Sequence, residues 1–340
     1  MMISDKLTSL YRRCGYERYK MGKFEEYGLY SEHRSFLPPG GMITFTDTDG
    51  RLMALKPDVT LSIVRNSRDG VSAKYCYSES VFRAGDDGRF AEVQQTGLEY
   101  IGEPDPVCVA EVLMLAGLSL DVISGENALG VSHLGLLSMT ADRLGVQGED
   151  REKLLYRIGH RNAHGALEIC RAAGYDGERL LLGLLDADPS PDEAEKTLYA
   201  LSDGRAWDEV VKTLFSAIRS ARGAGFDFSV VADAGYYNGI VFRGYVEGVP
   251  KAVLSGGEYG NLMKKMGKNN SAAGFAVYLD RLPEYEDEDE EKIDQTVIYG
   301  DKTDPVKVAE KMRRVLEEGG SVRAVRENVD QACKKTVDLR

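Results

Sequence analysis

The stretch Lys74-Tyr75-Cys76-Tyr77-Ser78-Glu79-Ser80-Val81-Phe82-Arg83, then Ala84-Gly85-Asp86-Asp87-Gly88, then Arg89-Phe90-Ala91-Glu92-Val93-Gln94-Gln95-Thr96-Gly97-Leu98-Glu99-Tyr100-Ile101-Gly102, decides the fold. Two runs that lean towards strand flank a short loop of turn-forming residues, which predicts a long antiparallel hairpin. Strand side chains alternate between faces, so Ala91, Val93, Gln95, Gly97, Glu99 and Ile101 share one side. Gln95 and Glu99 flank Gly97 there. Periodicity leaves two readings open. Alternating polar residues face water in many antiparallel sheets. Alternatively, the glycine makes an open floor on which a small amino-bearing ligand lies, with the carboxylate at one end and the amide at the other.

The chain has 340 residues, 43% hydrophobic and 29% charged, which predicts a soluble globular protein with room for two or three domains. No run approaches the roughly 18 apolar residues expected of a membrane span, so no membrane partner is expected. The first residues, Met1-Met2-Ile3-Ser4-Asp5-Lys6, lack the basic-then-apolar pattern of a secretion signal. Cys14, Cys76, Cys108, Cys170 and Cys333 are scattered singly, which points to thiols in a reducing cytoplasm rather than a disulfide framework or a zinc site. The net charge of −12 argues against a nucleic-acid partner, because neutralising phosphates supplies most of such affinity.

Leu7, Leu10 and Tyr11 fall at helical spacing and Gly15 follows, so a first helix is expected to end there. Pro38-Pro39-Gly40-Gly41 is a break. Met42 to Leu55 reads as a hairpin with Asp49-Gly50 as its turn. Lys56-Pro57-Asp58-Val59-Thr60 places Asp58 and Thr60 near a helix N-terminus, where Asp58 either caps the helix or turns its carboxylate to a ligand ammonium. Val107 to Leu120 is a strongly apolar helix. Residues 125–225 read as a helical insertion, with Val210, Val211, Leu214, Phe215 and Ile218 on one stripe. His160 and His164 lie close together, but no third ligand at a sensible spacing stands out, so a solvated helix is expected rather than a metal site. Phe226 to Tyr245 reads as strand, in which Tyr236 and Tyr237 would face opposite sides. Ser255 to Gly260 reads as a tight buried strand and Ala273 to Leu282 as a buried helix. Glu284 to Glu291 holds seven acids in eight residues, a solvated linker. Residues 292–340 read as a small βαβ-like tail, with strands over 295–299 and 322–325 and a helix carrying Val308, Met312, Val315 and Leu316 between them.

The order of these pieces resembles the catalytic core of the histidyl-tRNA synthetase family over residues 1–283. Leu55-Lys56-Pro57-Asp58-Val59-Thr60 matches the family's Leu-[Arg/Lys]-Pro-[Glu/Asp]-x-Thr motif. Val81-Phe82-Arg83 through Gln95-Thr96-Gly97-Leu98-Glu99 resembles the second class II motif, Gly235-Tyr236-Tyr237-Asn238-Gly239-Ile240-Val241-Phe242 the histidine signature, Gly256-Gly257-Glu258-Tyr259-Gly260 the altered Gly-Gly-Arg-Tyr-Asp signature, and Gly274-Phe275-Ala276-Val277-Tyr278-Leu279-Asp280-Arg281-Leu282 the third class II motif. The resemblance implies an α+β fold: a class II synthetase-like antiparallel sheet flanked by helices, in parts 1–124 and 226–283, with the insertion 125–225, the linker 284–291 and the tail 292–340. It also implies that Asp58, Thr60, Arg83, Gln95, Glu99, Tyr236, Tyr237 and Tyr259 bind histidine.

The departures from the family pattern concern the nucleotide. The motif-two Glu is replaced by Gly85, and the arginines expected at 91 and 232 are Ala91 and Ala232. Glu258 and Gly260 replace an Arg and an Asp, and Gly22 stands where the first motif has Pro. Only Arg83 and Arg281 remain on the nucleotide side, and each lost transition-state donor typically costs about 2.7–4 kcal/mol. A kept amino-acid pocket beside lost catalytic charges is similar to the regulatory subunits of ATP phosphoribosyltransferase. That likeness implies a dimer partnered with the short-form catalytic subunit, L-histidine as ligand, and no cofactor, metal, tRNA or catalysis of its own. A divergent synthetase or other amino-acid-activating ligase, and a sensor of another amino acid, are the alternatives.

Overall fold

The computed structural model describes residues 2–339 other than 33, 35–36, 38–41, 85–87, 232–234, 283–292 and 327–332. The expected break at Pro38–Gly41, the acidic run Glu284–Glu291, and positions Gly85 and Ala232 lie outside the described residues. Two compact units are present: Ile3–Pro283, and Glu284–Arg340 with the first two residues.

The larger unit is built on an eight-stranded mixed sheet. Its strands are β1 (Glu17–Arg18), β5 (Ala73–Ala84), β6 (Phe90–Gly102), β7 (Asn127–His133), β8 (Ala224–Phe226), β9 (Ile240–Val246), β10 (Leu254–Glu258) and β11 (Ser271–Tyr278), in the order β1-β5-β6-β11-β10-β9-β7-β8. A smaller antiparallel sheet joins β2 (Phe24–Glu26), β3 (Thr44–Thr46) and β4 (Leu52–Leu55), with β4 central and Gly50 at φ 80° in the β3–β4 turn. The hairpin read from the sequence is β5–β6, antiparallel from Ala73↔Ile101 to Ala84↔Phe90. It is long because only turn residues interrupt two runs of strand-forming side chains.

Helices cover the sheet. Among them are α1 (Ile3–Arg13), α2 (Tyr27–Glu32), α3 (Thr60–Asn66) and α4 (Pro106–Ile123). Asp105 accepts the Cys108 N–H at 2.8 Å and Pro106 opens α4, an N-terminus of the usual kind. By length and composition α4 could cross a membrane, contrary to the expectation that no run would. Its Val112, Leu113, Ala116 and Leu120 are buried in the main core. Five helices follow β7: α5 (Leu134–Arg143), α6 (Gly148–Gly159), α7 (Ala163–Ala172), α8 (Glu178–Leu185) and α9 (Pro191–Ala200), and then α10 (Arg205–Ile218). The stripe Val211, Leu214, Phe215 and Ile218 of α10 is buried as expected. A short α11 (Gly260–Lys265) precedes β11.

Three local expectations are corrected. Asn127–His133, read as the start of the helical region, is a strand pairing with β8 and β9. Residues 273–278, read as helix, are β11 between β6 and β10, with a single 3-10 turn over Leu279–Arg281. A short apolar run buried on both faces carries no period to tell strand from helix. Tyr236 and Tyr237 lie in a turn before β9 rather than in a strand.

The second unit holds a parallel sheet of β12 (Ile293–Ile298), β13 (Val322–Val325) and β14 (Cys333–Asp338), with β12 central, and α12 (Pro305–Glu317). Strands β12 and β13 are parallel with α12 between them in the chain; Leu316 is exposed and Val315 is the buried residue of α12. The strand β14 was not anticipated.

Candidate functional site

Strands β6 and β11 run side by side with Glu99↔Gly274, Gly97↔Ala276 and Gln95↔Tyr278 in register. A cavity lies on this floor, encloses about 300 Å³, and is lined by Asp58, Thr60, Arg83, Gln95, Glu99, Tyr236, Tyr237 and Tyr259 among others. All eight residues singled out in the sequence therefore meet in one place, drawn from four stretches up to 201 positions apart (Asp58 to Tyr259).

Glu99 occupies the enclosed end. It is 2% exposed, and its carboxylate accepts the Thr60 hydroxyl at 2.8 Å and the Tyr259 hydroxyl at 2.6 Å. Among the described residues it has no cationic partner. Burial pushes its carboxyl up to about 8, against the hydroxyl donors of Tyr259, Thr60 and Tyr77 that favour the ionised form. Gly274 makes this placement possible: a Cβ there would stand 1.9 Å from Glu99 Oε2 and 2.4 Å from the Leu98 carbonyl. Asp58 is half-buried, and desolvation raises its carboxyl despite the Leu61 N–H and the Arg83 charge. Its Oδ1 accepts the Leu61 N–H at 2.9 Å, so it caps the first turn of α3 and lines the cavity at once. Pro57 lies ahead of the helix rather than in its first turn, because α3 begins at Thr60.

Gly97 is not the open floor expected. A Cβ there would meet the Phe275 carbonyl at 2.2 Å and the Tyr77 hydroxyl at 2.6 Å; Tyr77, opposite Gly97 on β5, lays its ring over it. The glycine makes room for an aromatic cross-strand neighbour. Tyr236 and Tyr237, with ring centroids 4.6 Å apart, both line the cavity. A turn imposes no alternation of faces, so the expected division of labour between them does not arise.

Glu258 does not line the cavity. Its Oε2 accepts the Ile240 N–H at 2.7 Å, and it borders a separate hollow beside Asp105 and Lys212. Gly260 starts α11, its N–H donated to Asn238 Oδ1 at 2.6 Å. Lys56 is fully buried and paired with Glu79 at 2.5 Å, which ties the Lys56-Pro57-Asp58 turn to β5. The hydrogen bond from Phe82 N–H to the Lys56 carbonyl, at 2.8 Å, reinforces it.

Tyr77, Ser255, Phe275 and Tyr278 also line the cavity but were not singled out. Tyr77 was legible in principle, since counting back from the turn pairs it with Gly97. The other three depend on which strands become neighbours. No group of three or more potential metal ligands occurs among the described residues. The ring of His160 instead bonds the Tyr156 carbonyl at 2.8 Å, and His164 lies 3.2 Å from Glu168.

The profile of the histidyl-tRNA synthetase family matches residues 2–282. The ATP phosphoribosyltransferase regulatory subunit of Clostridium kluyveri is 27% identical, with 94% of this chain and 87% of that protein aligned. Among solved structures, an ATP phosphoribosyltransferase regulatory subunit/histidyl-tRNA synthetase from Bacillus halodurans superposes with a TM-score of 0.78 at 21% identity, covering 99% of this chain and 93% of that one. A chain of the ATP phosphoribosyl transferase (HisG:HisZ) complex from Thermotoga maritima superposes with a TM-score of 0.64 at 18% identity, covering 81% and 96%. The fold is that of a class II synthetase.

Proposed function

This chain belongs to the histidyl-tRNA synthetase family, and on that premise we propose that it is the non-catalytic regulatory subunit of ATP phosphoribosyltransferase. The names of its curated relatives support that role. It assembles with the short-form catalytic subunit, supports that subunit's activity, and brings histidine feedback to histidine biosynthesis.

The observation that carries the reading is Glu99: a buried carboxyl group with hydroxyl donors only and no cation among the described residues. Such a group is costly to ionise unless a partner arrives. An imidazole supplies N–H donors and, once protonated, the missing charge. L-histidine then lies along the cavity, its ring at Glu99 with Tyr237 or Tyr259, its amino group at Asp58 and Gln95, and its carboxylate at Arg83. Thr60 orients Glu99, and Tyr236 packs beside the ring of Tyr237. Feedback follows if histidine binds one state of the complex more tightly than the other.

The chain carries out no aminoacylation of its own in this reading. Position 91 is an alanine across from Arg83, and Arg281 donates to the Ala252 carbonyl at 2.5 Å. The acidic charge speaks against tRNA binding. Phe24, Phe45 and Leu52 on the small sheet are 53%, 37% and 48% exposed, with the two phenyl rings 5.5 Å apart. An apolar surface of this kind suits the contact of a homodimer. A cytoplasmic location fits a biosynthetic partner.

Two measurements test the proposal. The short-form catalytic subunit is assayed alone, with this chain, and with this chain plus histidine; activity that needs the chain and falls with histidine is expected. ATP–pyrophosphate exchange with histidine is measured on the purified chain, and robust exchange would reject the non-catalytic reading in favour of an amino-acid-activating enzyme.

A further inference from the structure

The Gln95 end of the cavity is closed by a side chain with no part in gripping histidine. Tyr278 ends β11, opposite Gln95. Its hydroxyl shares a hydrogen bond with Ser255 Oγ at 2.6 Å. Ser255 stands across from Ala276, two positions earlier on β11, so the Tyr278 ring leans back along its own strand over the small Ala276. The Arg281 guanidinium lies 4.0 Å from the centre of the same ring and is itself tied to the Ala252 carbonyl at 2.5 Å. The Tyr278 N–H donates to the Val253 carbonyl at 2.8 Å, which fixes its backbone. The ring is thus held from its edge, its face and its backbone.

Its position along the floor gives it a role. Gln95 and Glu99 are four residues apart on one strand, so the Tyr278 backbone stands about 13 Å along the floor from the Glu99 end at the usual rise of about 3.3 Å per residue, and its ring, leaning back over Ala276, stands nearer. A ligand anchored at Glu99 by its side chain points its carboxyl end at Tyr278. The cavity of about 300 Å³ sits at the bottom of the roughly 300–1,000 Å³ typical of small-molecule sites.

We propose that Tyr278, braced by Ser255 and Arg281, is a specificity-determining wall that admits free α-amino acids and rejects ligands extended at the carboxyl group, such as aminoacyl amides, esters and adenylates. This rests on the amino-acid reading of the cavity. Rejection comes from a clash on the wrong ligand rather than a contact with the right one. It also explains how a synthetase-like cavity responds to the end product of a pathway without holding an activated form of it.

The test is calorimetry on the full chain with two probes: L-histidine, and histidyl sulfamoyl-adenosine, a non-hydrolysable mimic of the adenylate. Wild-type protein is expected to favour free histidine, and Tyr278→Ala to shift the ratio of the two dissociation constants by about tenfold or more towards the extended probe. Ser255→Ala, which frees the ring and leaves its packing in place, is expected to shift the ratio in the same direction by less, and serves where Tyr278→Ala does not fold. Wild-type protein that binds the extended probe as tightly as histidine, or variants that bind histidine with an unchanged ratio, would overturn the wall. Wild-type protein that binds no histidine would instead overturn the amino-acid reading beneath it.

Discussion

Replacing Glu99 by Gln should make the unliganded protein more stable, by an amount that grows with pH. The amide has nearly the shape of the carboxylate: its oxygen accepts the Thr60 hydroxyl and its NH2 group donates to the Tyr259 oxygen, in place of the 2.8 Å and 2.6 Å bonds of the acid. What changes is charge. The Glu99 carboxyl is pushed by burial from 4.5 to about 8. A folded value above the unfolded one means that the group's contribution is fully present below pH 4.5 and is lost as pH rises through 8. At about 1.4 kcal/mol per pH unit, the wild type loses on the order of 5 kcal/mol across that window. Asp58 is raised in the same direction by burial, and its charge also raises Glu99, so the amide removes that repulsion as well and adds to the gain at high pH. Urea unfolding of both, from pH 5 to pH 9, should give nearly equal stabilities at the acid end and several kcal/mol in favour of Glu99→Gln at the alkaline end. The same variant should lose histidine binding. Parallel pH profiles would show that Glu99 is not a desolvated acid, and the account of the cavity's unmet demand for a cation would fall with it.

Gly274→Ala puts a methyl group 1.9 Å from Glu99 Oε2 and 2.4 Å from the Leu98 carbonyl. Overpacking of this kind costs roughly 1–3 kcal/mol, so calorimetry should record a histidine dissociation constant roughly ten- to a hundredfold higher; unchanged affinity would mean that Glu99 does not set the ring site. Lys56→Met strands the Glu79 carboxylate from its buried partner and should lower unfolding stability by about 3–5 kcal/mol, seen as an earlier urea midpoint. His133 Nδ1 accepts the Gly135 N–H at 2.9 Å at the start of α5, and burial lowers its pKa from 6.5 to about 4. Its contribution is present above pH 6.5 and is lost as pH falls towards 4, on the order of 3 kcal/mol. His133→Asn keeps a capping acceptor and should flatten the acid side of the stability profile over that window.

Some of this was open to a reader of the sequence because it is local. The β5–β6 hairpin follows from turn residues between two strand-forming runs, and α1 from its spacing and the glycine after it. Motif order along the chain picked out eight cavity residues, and all eight line the cavity. That selection rests on the resemblance to the family; spacing alone singled out Gln95 and Glu99 on one strand face and placed Asp58 and Thr60 near a helix N-terminus. Other elements carried no local signal. The run Ala273–Tyr278 is apolar on both faces, and Asn127–His133 is a strand only because β9 and β8 lie on either side of it.

The sequence by itself determined which residue types the cavity contains, since composition and spacing set the chemistry of each short segment. Only the tertiary structure decided what those groups do to one another. Pairing β6 with β11 puts Gly274 under Glu99 and Tyr278 beside Gln95; pairing β5 with β6 lays Tyr77 over Gly97; and the place of β10 turns Glu258 away from the ligand and hands Tyr278 its Ser255 partner. The physical reason is burial. A carboxyl group has its ordinary properties in any short peptide, and the demand of Glu99 for a proton or a cation exists only once four distant segments have closed around it and shut out water.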